Sequence, residues 1–124
     1  MPRILCVEDD ADSCEMLSML LGHENDSYQV LSATSGARAI EMIEAKKFDG
    51  YVLDLVLPDI DGVELCRYIR ETDMRVPIIF YTGRIDSGAR LSAIDAGATE
   101  FLAKPNDIDR IGDVLSKLLD FSTV

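Results

Sequence analysis

Three carboxylates, one hydroxyl and one ammonium stand out because each interrupts or closes an apolar run. Glu8 and Asp9 follow Ile4-Leu5-Cys6-Val7, and Asp54 lies inside Val52-Leu53-Asp54-Leu55-Val56. Thr82 follows Ile78-Ile79-Phe80-Tyr81, and Lys104 follows Phe101-Leu102-Ala103. An ionised Asp in so apolar a run is costly to bury unless partners compensate. Three carboxylates drawn together repel, so either one keeps its proton or a cation joins them. A hard divalent ion answers that need, and Mg²⁺ is typically held by one or two carboxylates with waters and phosphate oxygens. Glu8, Asp9 and Asp54 carry three negative charges, and Mg²⁺ with Lys104 carries three positive ones. One nucleophilic carboxylate beside one cation and one ammonium suits phosphoryl transfer, where positioning and electrostatics do most of the work.

Such a site needs elements that bring distant residues to one place. Ile4 to Val7 reads as a short strand, followed by a helix with Cys14, Leu17, Leu20 and Leu21 at helical spacing. Asp12 with Glu15 three residues on resembles an Asp form of the capping box, and Asp10 reads as a first-turn acid that complements the helix dipole. Tyr28 to Ala33 is a second strand. Thr34 or Ser35 caps a helix through Ala45 with Ile40 and Ile43 inward. Tyr51 to Leu57 is the strongest strand signal, a continuous apolar run broken only by Asp54, as expected of a strand buried on both faces. Pro58 and Gly62 flank a turn, and Asp61 with Glu64 starts a helix carrying Val63, Cys66 and Ile69. Val76 to Tyr81 is a fourth strand, ending at Thr82-Gly83. A thinner helix, Ser87 to Ala96, has a weak apolar stripe of Leu91 and Ile94, with Gly97 as its stop. Glu100 to Ala103 is a fifth strand, and a last helix with Ile108, Ile111, Leu115 and Leu118 closes near Asp120.

Five repeats of strand then helix argue for a parallel sheet with helices on both faces. Right-handed crossovers leave few topologies open. In any of them the C-terminal strand ends share one edge, where open α/β sheets bind ligands. Glu8, Asp9, Asp54, Thr82 and Lys104 all fall on that edge.

The whole chain bounds what such a site serves. Its 124 residues fit one domain over 1–124. Hydrophobic residues at 48% and charged ones at 28% exclude a disordered or fibrous chain. A net charge of −11 without a basic cluster argues against direct nucleic-acid binding. No stretch approaches the ~18 apolar residues of a membrane span, and the N-terminus lacks a signal-peptide layout. Cys6, Cys14 and Cys66 show no C-x-x-C spacing and read as reduced core thiols. These features together point to the cytoplasm. His23 is expected to be solvated in a polar Gly22-His23-Glu24-Asn25-Asp26 loop. Met16, Met19 and Met42 read as core filling.

The sequence resembles the receiver domain of two-component response regulators from about Arg3 to Leu119. The matching pieces are Ile4-Leu5-Cys6-Val7-Glu8-Asp9-Asp10, Asp54-Leu55-Val56-Leu57-Pro58 with Gly62, Ile79-Phe80-Tyr81-Thr82-Gly83, and Phe101-Leu102-Ala103-Lys104-Pro105. Each is weak alone; all four, in order on a five-fold strand–helix pattern, are specific. The resemblance implies a flavodoxin-like, doubly wound (βα)5 fold with a five-stranded parallel sheet. It implies Asp54 as phosphoacceptor, Asp9 as direct Mg²⁺ ligand, Glu8 as the second acidic position, and the backbone carbonyl of Val56 as the third protein ligand. Thr82 matches the switch hydroxyl, Lys104 the lysine that contacts a phosphoryl oxygen, and Phe101 the switch aromatic. Val56 and Arg84 match the positions that tune dephosphorylation.

Gly83, after Thr82, leaves room for a phosphodonor. Glu8 stands where Asp is also common, and Phe101 has no hydroxyl, so it can switch only by ring packing. Asn106 stands where the family often has Phe. The Lys104–Pro105 bond is cis in the family, whereas a generic X–Pro bond is cis in only ~5% of cases. The partners implied are a sensor histidine kinase or histidine phosphotransfer protein and a downstream protein target, with a homodimer open.

Three other functions compete with this reading. A phosphatase of the haloacid-dehalogenase type needs a second Asp two residues after the nucleophile, where Val56 stands. A nucleotide-binding module needs G-x-x-x-x-G-K-[ST] or G-x-G-x-x-G, and neither is present. A docking module that is never phosphorylated is the remaining alternative, against which the full set of site residues argues.

Overall fold

Strand residues alternate between two cores, and that alternation places the helices. The computed structural model describes residues 2–24 and 28–122, apart from the side chains of 22–24 and 120–122. In chain order the elements are β1 (Arg3–Val7), α1 (Ala11–Glu24), β2 (Gln29–Ala33), α2 (Gly36–Ala45), β3 (Gly50–Leu53), α3 (Gly62–Thr72), β4 (Ile78–Thr82), α4 (Ser87–Asp95), β5 (Glu100–Ala103) and α5 (Ile108–Ser122). The five strands form one sheet in the order β2-β1-β3-β4-β5, and every pair is parallel. Leu5, Val7, Leu53, Ile78, Phe80 and Phe101 face one side, where Ala39 of α2, Cys66 and Ile69 of α3, and Ala89 and Ala93 of α4 cover them. Ile4, Cys6, Val52, Ile79, Tyr81 and Leu102 face the other, against Cys14 and Leu17 of α1 and Ile111 and Leu115 of α5. This is the doubly wound (βα)5 arrangement expected of the alternation. The chain reverses its direction across the sheet between β1 and β3, so the crevice beyond those two strand ends is the natural ligand site.

Several boundaries differ from the sequence reading, each for a physical reason. β3 stops at Leu53 instead of Leu57. Leu55 and Leu57 are buried in the loop that follows, so a continuous apolar run marks burial and not strand length. β4 begins at Ile78 because Pro77 offers no N–H to a ladder, though its carbonyl accepts from Tyr51. The α1 cap is Asp10, not Asp12: Asp10 accepts from the Asp12 amide at 3.0 Å and from the Ser13 hydroxyl at 3.1 Å. Ser35 caps α2 and Asp61 caps α3, as expected. Gly97 has φ +108°, which suits its place just past α4.

On α4 the inward residues are Ala89 and Ala93, while Leu91 and Ile94 are exposed. Small residues let that helix lie close to the sheet, and they carry little hydrophobic signal. Met16 and Met19 are 56% and 69% exposed, so they do not fill the core; Met42 does pack against it. The polar loop expected at Gly22–Asp26 begins later, because Gly22 to Glu24 continue α1. The His23 side chain and Asn25–Asp26 lie outside the described residues. α5 runs two residues past the expected end, to Ser122.

Candidate functional site

Backbone hydrogen bonds carry the sheet ladder one residue beyond the strands and fix the site residues there. Glu8 N–H donates to Ala33 O at 3.1 Å, Asp54 N–H to Val7 O at 2.9 Å, and Lys104 N–H to Thr82 O at 2.9 Å. Glu8, Asp54 and Lys104 are thereby pinned by β2, β1 and β4 in turn. Glu8, Asp9 and Asp54 each present a carboxylate oxygen, and these oxygens lie within 4.8 Å of one another. Glu8 and Asp54 are buried, and Asp9 is open to solvent. The Lys104 ammonium reaches between them, donating to Asp54 Oδ2 at 2.8 Å and to Glu8 Oε2. Its charge also lies 5.6 Å from the Tyr81 ring centre.

The electrostatics follow from that crowding. Burial pushes Glu8 up to about 7; the Lys104 ammonium opposes the rise, and the Asp54 carboxylate adds to it. Burial works on Asp54 as well, but hydrogen bonds from Lys104, Glu8 and Thr82 outweigh it and hold Asp54 below the usual carboxylate range. Burial disfavours the Lys104 charge, yet Asp54 and Glu8 overcome it and raise Lys104 further. The pair of carboxylates is therefore split, with Asp54 the ionised member. The donors around the cluster are oxygens, which suits a hard divalent cation. A divalent cation there would favour the ionised form of Glu8 and draw off its proton below about pH 7.

Thr82 is buried at the end of β4, and its Oγ1 accepts from Arg84 N–H at 3.2 Å. Val56 N–H donates to Asp54 Oδ1 at 3.3 Å, and the Val56 side chain is exposed. Phe101 is 7% exposed, with its ring centre 6.5 Å from that of Phe80 and 5.9 Å from the Arg90 guanidinium. Around Gly83 a Cβ would meet nothing within 4 Å, so the approach beside Thr82 is open. The Lys104–Pro105 peptide is cis.

Sequence reasoning misses three residues that shape this site. Tyr81 lies under the Lys104 charge, and Arg90 caps Phe101; neither neighbour is close in sequence, so no spacing announces them. Asp59 is the third. Its carboxylate accepts from Gly36 N–H and Ala37 N–H, both at 2.8 Å, which ties the loop after Asp54 to the start of α2. Those bonds hold Asp59 below the usual carboxylate range. A helix start whose second acceptor comes from another loop has no local signature.

Gly62 braces Asp54 from behind. A Cβ there would lie 2.1 Å from Asp54 O and 2.8 Å from Leu55 Cα, while Gly62 N–H donates to Leu55 O at 2.8 Å. Gly62→Ala must push the Asp54 turn outward and is expected to cost about 3 kcal/mol, read by urea denaturation. An unchanged midpoint would show that the turn yields freely.

Residues 4–116 match the response regulator receiver domain family. The response regulator ArlR of Staphylococcus epidermidis is 35% identical over 111 residues, covering 90% of this chain and 49% of that protein. The response regulator MprA of Mycobacterium leprae is 37% identical over 109 residues, covering 88% of this chain and 47% of that protein. The crystal structure of a two-component response regulator from Clostridium difficile superposes with a TM-score of 0.91 at 27% identity, covering 100% of both chains. The chain belongs to the response regulator receiver domain family, with its flavodoxin-like fold. It spans about half the length of the curated relatives it matches. Among the described residues no helix is long and apolar enough to cross a membrane.

Proposed function

We propose that Asp54 accepts a phosphoryl group from a phosphohistidine of a sensor histidine kinase or phosphotransfer protein, or from a small phosphodonor, and that this drives a signalling switch. The observation that carries the reading is the Lys104 ammonium joining Asp54 to Glu8 in the crevice beyond the paired ends of β1 and β3. Glu8, Asp9 and Asp54, with the Val56 carbonyl, would hold Mg²⁺. When bound, that ion would neutralise charge on the transferring group. Asp54, kept ionised by its neighbours, attacks phosphorus with a carboxylate oxygen; the P–N bond to the donor imidazole breaks, and the imidazole leaves with the bonding pair. Lys104 offers its ammonium to the same oxygens without reorganising. The acyl phosphate adds negative charge beside Thr82, whose hydroxyl can turn to donate to it.

A shift of Thr82 frees space near Phe80 and Phe101 and biases the packing of α4, β5 and α5 by the differential contact energy. A downstream protein target, or a second copy in a homodimer, would read that face; the net charge of −11 disfavours direct nucleic-acid binding. The setting that suits a kinase-linked switch of this composition is the cytoplasm. Intact mass after incubation with acetyl phosphate, with and without Mg²⁺, tests the reading. One Mg²⁺-dependent phosphoryl group supports it; none, with cognate kinase also inactive, leaves the docking-module alternative.

The protonation of Glu8 makes a separate prediction. Glu8 holds its proton up to about pH 7 without a cation, and a cation ligand must be ionised. Mg²⁺ binding is therefore expected to release a proton near neutrality, with affinity gaining about tenfold per pH unit below 7 and levelling above it. Calorimetry in two buffers of different ionisation enthalpy counts that proton. Without Mg²⁺ the sign for folding is opposite: a raised folded-state pKa gives stability that is full below the unfolded value and lost as pH rises through about 7.

A further inference from the structure

Cys6 and Cys14 are the pair of reactive groups that the phosphoryl chemistry leaves unused. Cys6 lies on β1 two residues before Glu8, and Cys14 on the first turn of α1. Both side chains are buried, yet the Cys6 thiol donates to Cys14 Sγ at 3.5 Å. Cys14 Sγ also lies 3.7 Å from Glu8 O. The third thiol, Cys66, is in the opposite core and donates to Ala96 O. The seven residues between the paired sulfurs, Val7 to Ser13, include Glu8 and Asp9. A cavity of about 10 Å³ is lined by Cys6, Glu8, Ser13, Asp54 and Tyr81, room for about one water-sized molecule. Cys6 therefore borders the same small space as Asp54.

We propose that Cys6 and Cys14 are a redox-responsive dithiol whose oxidation to a disulfide closes the loop carrying Glu8 and Asp9 and disables the acidic site. The oxidant class is a small peroxide, hydrogen peroxide in the simplest case. The Cys14 sulfur, which accepts the Cys6 thiol hydrogen, attacks one oxygen of hydrogen peroxide, the O–O bond breaks, and a sulfenic acid and water form. The Cys6 sulfur then displaces hydroxide from that sulfenic acid, and a second water leaves with the Cys6 proton. Two thiols lose two electrons, and one peroxide is reduced to two waters. Disulfides of this transient kind are the ones compatible with a reducing compartment.

The sulfurs must approach by about 1.5 Å to bond. β1 cannot supply that movement, because Cys6 is flanked in the sheet by Ser32 of β2 and Val52 of β3. The first turn of α1 moves instead and drags Asp9 and its Asp10 cap. The carboxylate positions around Glu8 and Asp54 then no longer match.

The disulfide itself is tested without reference to phosphorylation. The native protein is treated with hydrogen peroxide, then alkylated under denaturing conditions and digested. A Cys6–Cys14 linked peptide, with Cys66 alkylated, is the expected result; alkylation of all three cysteines after peroxide overturns the proposal. The consequence rests on the reading of Glu8 and Asp9 as a cation loop, and Mg²⁺ calorimetry measures it. Oxidised protein is expected to bind Mg²⁺ about tenfold more weakly, with full recovery on reduction. Cys14→Ala is expected to bind Mg²⁺ normally and to ignore peroxide. Linked peptide with unchanged Mg²⁺ affinity would refute the gating. Reduced protein that binds no Mg²⁺ would instead fail the cation-loop reading and leave the dithiol standing.

Discussion

Asp54→Asn is expected to abolish phosphoryl uptake while leaving the cation-free fold at least as stable as the wild type. Asn presents an oxygen of the same shape but no nucleophilic charge, so the intact-mass gain from acetyl phosphate should vanish. The stability half of the expectation follows from the crowding. In the native site one ammonium serves two buried carboxylates, and the Asp54 charge is among the causes that hold Glu8 near 7. Removing that charge leaves Lys104 paired with Glu8 alone, and the Asn amide can donate where Asp54 only accepted. Glu8 should fall back toward an ordinary carboxylate, though burial, its largest cause, remains. Mg²⁺ should bind at least about tenfold more weakly for want of one ligand. A thermal melt in EDTA that dropped sharply on Asp54→Asn would mean that Asp54 is held for stability and not for chemistry.

The same crowding makes the site legible in the amino-acid sequence. A buried Asp in an apolar run conflicts with its local surroundings, and such conflicts collect where a protein does something other than fold. Glu8, Thr82 and Lys104 are visible for a related reason, since each ends a short apolar run and the strand–helix alternation sends all those ends to one edge. What periodicity cannot give is depth and contact. Leu55 and Leu57 make β3 look longer than it is because apolarity reports burial, and buried loops share it with strands. Met16 and Met19 read as core filling by residue type but are exposed, and Leu91 and Ile94 read as the weak apolar stripe of α4, whose tight approach is made instead by Ala89 and Ala93 with small side chains that signal little. The Asp59 clamp on α2, the Arg90 cap on Phe101 and the Cys6–Cys14 contact all join residues through tertiary folding, so no local pattern announces them.

Lys104→Met is expected to cost both stability and phosphorylation, and its pH dependence separates charge from packing. Met keeps the length and apolar stem of the side chain beside Tyr81 but removes the ammonium. The Lys104 side chain is 22% exposed, so water screens its charge only in part. Leaving two buried carboxylates without it should cost about 3 kcal/mol at pH 8 in EDTA. At pH 5 the same variant should lose much less, because Glu8, already held near 7 in the wild type, then carries its proton. Mg²⁺ at pH 8 should restore part of the loss by standing in for the missing charge. Phosphorylation should nonetheless fall by about a hundredfold, because the ammonium no longer meets the charge that develops on the transferring oxygens. Urea denaturation of both proteins at the two pH values, with EDTA and with Mg²⁺, reads the stability effects, and intact mass over time with acetyl phosphate reads the phosphorylation rate. An equal loss at pH 5 and pH 8 would assign Lys104 to stem packing and withdraw it from the electrostatics of the site.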